Sequence, residues 1–164
     1  DPVLFLEHKG LYRQVYAKAV IGGPDDLIPI GKARVVKEGD AATVVTYGAL
    51  VHKSLVAAKN IEERTGRKIE VIDLRTISPL DSATILESVR KTGRLLVAHE
   101  DQRFVGFGAE IISQVCEEAF PYLDAPPKRI AARDTFIPQA PELELEILPQ
   151  TEQIVSALEE LISF

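Results

Sequence analysis

Twelve residues of this chain, HEDQRFVGFGAE from His99 to Glu110, hold a histidine, adjacent carboxylates and a pair of glycines. An imidazole beside carboxylates can move protons. Glycines ahead of a helix can bring backbone N–H groups close to an anion. The same residue types also suit a corner where a strand turns into a helix. In open α/β sheets ligands gather at the carboxyl ends of the strands, and His99, Glu100 and Asp101 end a predicted strand there. The glycines argue against a nucleotide. A dinucleotide fingerprint needs three of them in the first strand–helix turn, whereas GFGAEI offers Gly106 and Gly108 only and follows a late strand. The stretch is therefore read as a strand–helix corner whose polar residues lie at a packed subunit or domain boundary.

The other reactive side chains are scattered. His52 follows TYGAL at a helix start, and His8 sits in LEHKG; both read as surface or half-buried histidines. Cys116 is the single cysteine, lies next to Val115 in an amphipathic helix, and reads as core or half-core. Asp73, Arg75 and Asp81 in VIDLRTISPLD suggest a buried or interfacial Asp–Arg pair near a strand end. HExxH, GxxxxGK[ST] and GxSxG do not occur, which removes the metalloprotease, nucleotide triphosphatase and hydrolase-elbow readings.

The elements that position these residues follow from periodicity. ARVVK and TVVTY are β-rich runs around the turn EGD, and IEVIDL, RLLVAH and KRIAA are further strands. Between them run helical stretches: GALVHKSLVAAKNIEERTG, stopped at Gly66; SPLDSATILESVRKTG, with Ser78 and Asp81 as capping candidates and Gly93 as terminator; and Gly108 to Phe120. A last helix is expected to be capped by Thr151. Strand and helix alternate four times, and several strands are apolar on both faces. Such strands need helices on both sides. The expected fold is an open, doubly wound, mostly parallel α/β sheet over residues 33–164. Val3–Leu6 reads as a lone strand, and residues 8–32, with turn chemistry at GGPDD, as a connector.

Composition narrows the classes further. The chain has 164 residues, 46% of them apolar and 27% charged, as in ordinary globular proteins. No apolar run is long enough to span a membrane. DPVLFLEHKG does not resemble a secretory leader, and with one cysteine a reducing compartment is expected. The missing initial Met suggests a piece of something longer. The net charge is −6 and unevenly spread. Residues 134–164 carry seven acids and no Lys or Arg. That field disfavours nucleic acid and favours basic protein surfaces.

Several motifs occur in a familiar order: FLEHKGLYR, IPIGKARVVKEGDAATVVTYGALVHKSLVAA, IEVIDLRTISPLD, VAHED with GFGAEI, LDAP and RDTFIP. Together they resemble the C-terminal half of the beta subunit of the thiamine-diphosphate-dependent decarboxylating component of 2-oxo acid dehydrogenase complexes. The region is similar to the transketolase C-terminal domain, which implies the same mostly parallel sheet. HED, GFGAEI and LDAP look nearer to branched-chain (2-oxoisovalerate) members; pyruvate and acetoin members are the alternatives, and a non-catalytic α/β partner-binding module is an alternative of another class.

The resemblance implies that thiamine diphosphate and Mg²⁺ serve the parent enzyme and are not expected on this segment. Gly39-Asp40 continues into Ala41 rather than completing a Gly-Asp-Gly motif. No catalytic, cofactor-binding or metal-binding residue carries over, and the isolated chain is expected to be inactive. Residues 1–32 would be the last strand of an upstream pyrimidine-binding domain plus the connector. The implied partners are the alpha subunit or region, a second beta subunit, and the basic subunit-binding domain of the acyltransferase. Interface candidates are His99, Glu100, Asp101, Glu159, Glu160 and Phe164. Nucleic acid and membrane are not expected as partners. The implied compartment is the cytoplasm, or the mitochondrial matrix in a eukaryote.

Overall fold

The computed structural model describes residues 2, 6–18, 20, 22–23, 25 and 27–164. The strand expected at Val3–Leu6 lies outside the described residues in its first three positions. The connector forms short 3₁₀ turns at Lys9–Arg13 and Val15–Ala17, neither with a buried residue.

Five strands form one sheet: β1 (Arg34–Lys37), β2 (Ala42–Thr46), β3 (Ile69–Asp73), β4 (Leu95–Gln102) and β5 (Lys128–Ala132). Their spatial order is β1-β3-β2-β4-β5. The four central and right-hand strands pair in parallel, and β1 pairs antiparallel with β3 at one edge. Five helices accompany them: α1 (Leu50–Thr65), α2 (Ser82–Thr92), α3 (Gly108–Ala119), α4 (Pro141–Ile147) and α5 (Thr151–Ile162). This is the mostly parallel doubly wound α/β fold that the apolar strands demand. Consecutive strand residues point to opposite faces. Val44, Val71, Leu96 and Ala98 pack under α1 and α5. Val45, Ile72, Leu95 and Val97 pack under α2 and α3. Every residue of β2 is buried.

The helix ends show which local signals were sufficient. Gly66 (φ 73°) and Gly93 (φ 68°) adopt the left-handed conformation that ends α1 and α2. Asp81, not Ser78, caps α2: its carboxylate accepts from the Thr84 hydroxyl at 2.9 Å and from the Ala33 N–H at 3.0 Å. The expected Thr151 cap is replaced by Gln150, which forms a reciprocal capping box with Gln153; the Gln150 N–H donates to Gln153 Oε1 at 2.9 Å. The longer glutamine reaches the same orphan N–H groups, so Thr151 becomes the first helical residue instead.

The amino-terminal edge of the sheet is closed by a buried polar network. Thr43 Oγ1 lies 2.6 Å from Ser88 Oγ and 2.7 Å from Thr92 Oγ1. Ser88 donates to Glu70 Oε1 at 2.5 Å, and Lys91 pairs with the same carboxylate. Glu70 is 2% exposed. Burial opposes its charge, but the hydrogen bonds from Lys91 and Ser88 prevail and hold its carboxyl below the ordinary glutamate range. This edge is structural, which leaves the carboxyl edge for function.

Candidate functional site

At the carboxyl edge β4 runs three residues beyond the expected strand, to Gln102. Its side chains diverge. His99 is wholly buried on the α3 side of the sheet, and neither ring nitrogen has a hydrogen-bond partner among the described residues. Burial lowers its pKa; the charge of Asp101 opposes this and that of Arg129 reinforces it. Tyr47, at the end of β2, lies parallel to the imidazole with centroids 6.3 Å apart. Burial, then Asp101 and Glu100, push its phenol up to about 12.

The glycine pair has a definite task. A Cβ on Gly106 would collide with the Gln102 carbonyl oxygen and stand 2.8 Å from His99 Cε1, and one on Gly108 would collide with His99 Nε2. The Gly106–Gly108 turn is therefore a cradle for the buried imidazole. Only residues without a side chain fit there. The quoted stretch resolves into a packing unit: a histidine at the end of β4 and the two glycines that admit it. It offers no open imidazole to a substrate.

The remaining candidates are dispersed. Glu100 is partly exposed and lies 2.9 Å from His8 Nε2, which ties the connector to the carboxyl edge. A second tie is Tyr16, whose ring stacks on His52 with centroids 3.7 Å apart. Asp101 is exposed and accepts from the Gln102 N–H at 2.8 Å. Glu159 pairs with Arg64 at 2.6 Å and Glu160 pairs with Lys128. Phe164 is 63% exposed. The structure thus places His99, Glu100 and Asp101 together on β4, and Glu159, Glu160 and Phe164 at the end of α5. It does not join the two groups into one site.

The expected Asp73–Arg75 side-chain pair does not form. Asp73 instead accepts the Arg75 N–H at 3.1 Å, closing a turn on itself, while the Arg75 side chain is exposed. Burial raises the Asp73 pKa, with Arg75 opposing. Cys116 is half-buried. Among the described residues no group of three or more His, Cys, Asp and Glu could hold a metal.

The turn at Gly39-Asp40-Ala41 also fails as a diphosphate cradle. Its Asp40 and Ala41 N–H groups donate to the Lys68 carbonyl at 3.1 and 2.9 Å, and Gly39 presses on the Ile69–Glu70 backbone. These two donors are spent on Lys68, just before β3, so these residues do not fit thiamine diphosphate. No helix among the described residues is long and apolar enough to cross a membrane.

Sequence reasoning missed a cleft of about 810 Å³ at the β5 edge, lined by Arg103, Ala109, Ile112, Arg129, Ile130 and Ala157 among others. Its residues come from α3, β5, α5 and the loop after β4, and carry no shared motif.

Residues 31–154 match the family model "Transketolase, C-terminal domain". The chain belongs to the transketolase C-terminal domain family. Over its full 164 residues it is 42% identical to the "Pyruvate dehydrogenase E1 component subunit beta" of Staphylococcus aureus, covering 49% of that protein. It is 45% identical over 161 residues to the protein of the same name from Rickettsia bellii, covering 98% of this chain and 48% of that one. The chain therefore spans about half the length of the curated relatives it matches. Among solved structures, "Split gene transketolase, inactive beta4 tetramer" superposes with a TM-score of 0.74 at 26% identity, over 88% of this chain and 46% of that one. A 2-oxoglutarate:ferredoxin oxidoreductase from Magnetococcus marinus shares the fold at 16% identity, with a TM-score of 0.51 over 80% of this chain and 19% of that one.

Proposed function

We propose that this chain is the C-terminal domain of the beta subunit of a 2-oxo acid dehydrogenase decarboxylating component, that the parent enzyme acts on pyruvate, and that this domain serves assembly and docking rather than chemistry. The observation that carries the reading is the 42% identity, along the whole chain, to a protein named as a pyruvate dehydrogenase beta subunit. The branched-chain reading leaned on HED, GFGAEI and LDAP. His99, Gly106 and Gly108 of the first two form a packing unit in this fold, so those three residues report on the core and not on a substrate.

In this reading thiamine diphosphate and Mg²⁺ belong to other segments of the parent enzyme. This chain contributes a sheet, the last strand of an upstream domain with its connector (residues 1–32), and surfaces for an alpha subunit or region and a second beta subunit. The compartment that goes with the reading is the cytoplasm. The acyltransferase's basic subunit-binding domain docks at the acidic end of α5, around Glu159, Glu160 and Phe164. Exposed ion pairs contribute only about 0–1 kcal/mol, so a basic partner can displace Arg64 and Lys128 from those glutamates.

The complete parent enzyme tests the substrate. Decarboxylation is measured with pyruvate and with 2-oxoisovalerate under the same conditions. A higher kcat/KM for pyruvate is expected; a preference for the branched acid would overturn the substrate assignment and leave the family intact.

A further inference from the structure

The cleft at the β5 edge lies between the first turn of α3 and the flank of α5, on the open side of the sheet's last strand. Its volume, about 810 Å³, is in the range of small-molecule sites. Its floor is apolar: Ala109, Ile112, Ile130 and Ala157. Two arginines, Arg103 and Arg129, also line it. Arg129 is half-buried, and its Nε and Nη1 atoms are buried without a hydrogen-bond partner among the described residues. Arg103 Nη1 donates to the Arg129 carbonyl at 2.9 Å, which fixes it beside Arg129. Neither arginine joins an ion pair among the described residues, whereas the third cation, Lys128, is matched by Glu160.

Buried cations are ordinarily paired. Here a partly buried guanidinium is left without an acid, and Arg103 is held against the backbone of the same residue. Gly108 and Ala109 begin α3, which has no side-chain cap, whose amino end favours negative charge, and whose first turn carries one acid, Glu110. His99, wholly buried with unpartnered ring nitrogens, presses Nε2 against Gly108 and supplies no anion. On the opposite wall Gln153 and Ser156 are neutral; the acids lining the cleft are Glu152 and Glu160, and Glu160 is held by Lys128.

We propose that this cleft binds a small organic anion, with its carboxylate or phosphate group at Arg103 and Arg129 and a short apolar body over Ala109 and Ile112. A guanidinium is matched to either oxyanion by charge-assisted hydrogen bonds. The inference does not depend on the substrate of the parent enzyme.

The test uses the full 164-residue chain and follows the arginine Nε–H signals by NMR during titration. The probes are hexanoate and hexyl phosphate, with acetate, inorganic phosphate and hexylammonium for comparison. Saturable shifts of both arginines are expected with the hexyl anions and weaker ones with acetate or phosphate; the tighter hexyl anion identifies the head group. Arg103→Gln, on the surface, should weaken binding by about tenfold, the loss of one charge-assisted contact. Arg129→Gln should do at least as much, with its melting curve recorded alongside; if it does not fold, Arg103→Gln decides. Absence of saturation, equal shifts with hexylammonium, or unchanged affinity in Arg103→Gln would overturn the proposal.

Discussion

His99 occupies the space that a side chain on Gly108 would need: a Cβ there would run into the imidazole Nε2. This relationship explains Gly108 and the buried histidine together; Gly106 is pressed first by the Gln102 carbonyl and then by the same ring. It also makes a coupled prediction. Gly108→Ala should destabilise the chain by about 1–3 kcal/mol through overpacking. His99→Ala should cost about 2–5 kcal/mol through the cavity it leaves. The double variant should cost less than the sum, because the added methyl enters the vacated space. Urea denaturation of all four proteins measures the coupling. Strict additivity would mean that the two residues do not share one cradle.

Burial also ties His99 to pH. Its folded-state pKa is depressed, so the folded chain binds fewer protons than the unfolded one between the two values. The neutral imidazole's contribution is full above the unfolded pKa, about 6.5, and is lost as pH falls through the folded value. Melting temperature should therefore fall as pH drops below that range, and His99→Leu should flatten this part of the profile. The groups acting on the ring are Asp101, which opposes the shift, and Arg129, which adds to it. A profile identical in the variant would assign the acid sensitivity to other groups.

Tyr47 supplies a check at the other end of the scale. Its phenol is pushed up to about 12 by burial and by Asp101 and Glu100. The chain has four tyrosines. A spectrophotometric titration should show one ionising later than the ordinary range near 10, and Tyr47→Phe should delete that late step. Disappearance of an early step instead would contradict the placement.

Glu70 acts in the opposite sense to a simple buried acid. Lys91 and Ser88 lower its pKa despite burial. Its stabilisation is thus full above the unfolded carboxyl value, about 4.3, and is lost as pH falls through the folded one. Glu70→Gln should cost about 1–3 kcal/mol at neutral pH and less in acid, measured by denaturant unfolding. An equal loss at both pH values would show that the carboxylate charge has no part in the network.

Much of the fold was legible because its strands are buried on both faces. ATVVT and LLVAH carry apolar residues continuously, and that pattern demands helices on either side. Gly66 and Gly93 marked helix ends for a local reason, the left-handed φ they supply. Helix α4 gave no such signal. Its residues PELELEI alternate with a period of two, and Leu143 and Leu145 remain exposed, so no apolar stripe reveals it. The charge pattern along the sequence was only part of the picture for a related reason. The last 31 residues hold seven acids and no base, yet Arg64, Lys128 and Arg133 come from earlier in the chain to meet Glu159, Glu160 and Glu146. Segregation along the sequence is not segregation in space. The cradle of His99 was invisible for the same cause, since a glycine's neighbours are set by tertiary packing.

Docking of the acyltransferase's basic domain should therefore depend on salt, but less steeply than a bare acidic tail would. Glu159→Gln with Glu160→Gln should weaken binding by about three- to tenfold, and added salt should weaken it further. Calorimetric titration at several ionic strengths measures both. Affinity indifferent to salt and to the double substitution would remove the end of α5 from the interface.

The central claim is that this domain supports the parent enzyme without taking part in its bond breaking, and His99 is its sharpest point. The direct measurement is pyruvate decarboxylation by the complete enzyme carrying His99→Ala, with the rate divided by the concentration of assembled particles from analytical ultracentrifugation. The account predicts fewer assembled particles and an unchanged rate per particle. Normal assembly with lost decarboxylation would contradict it.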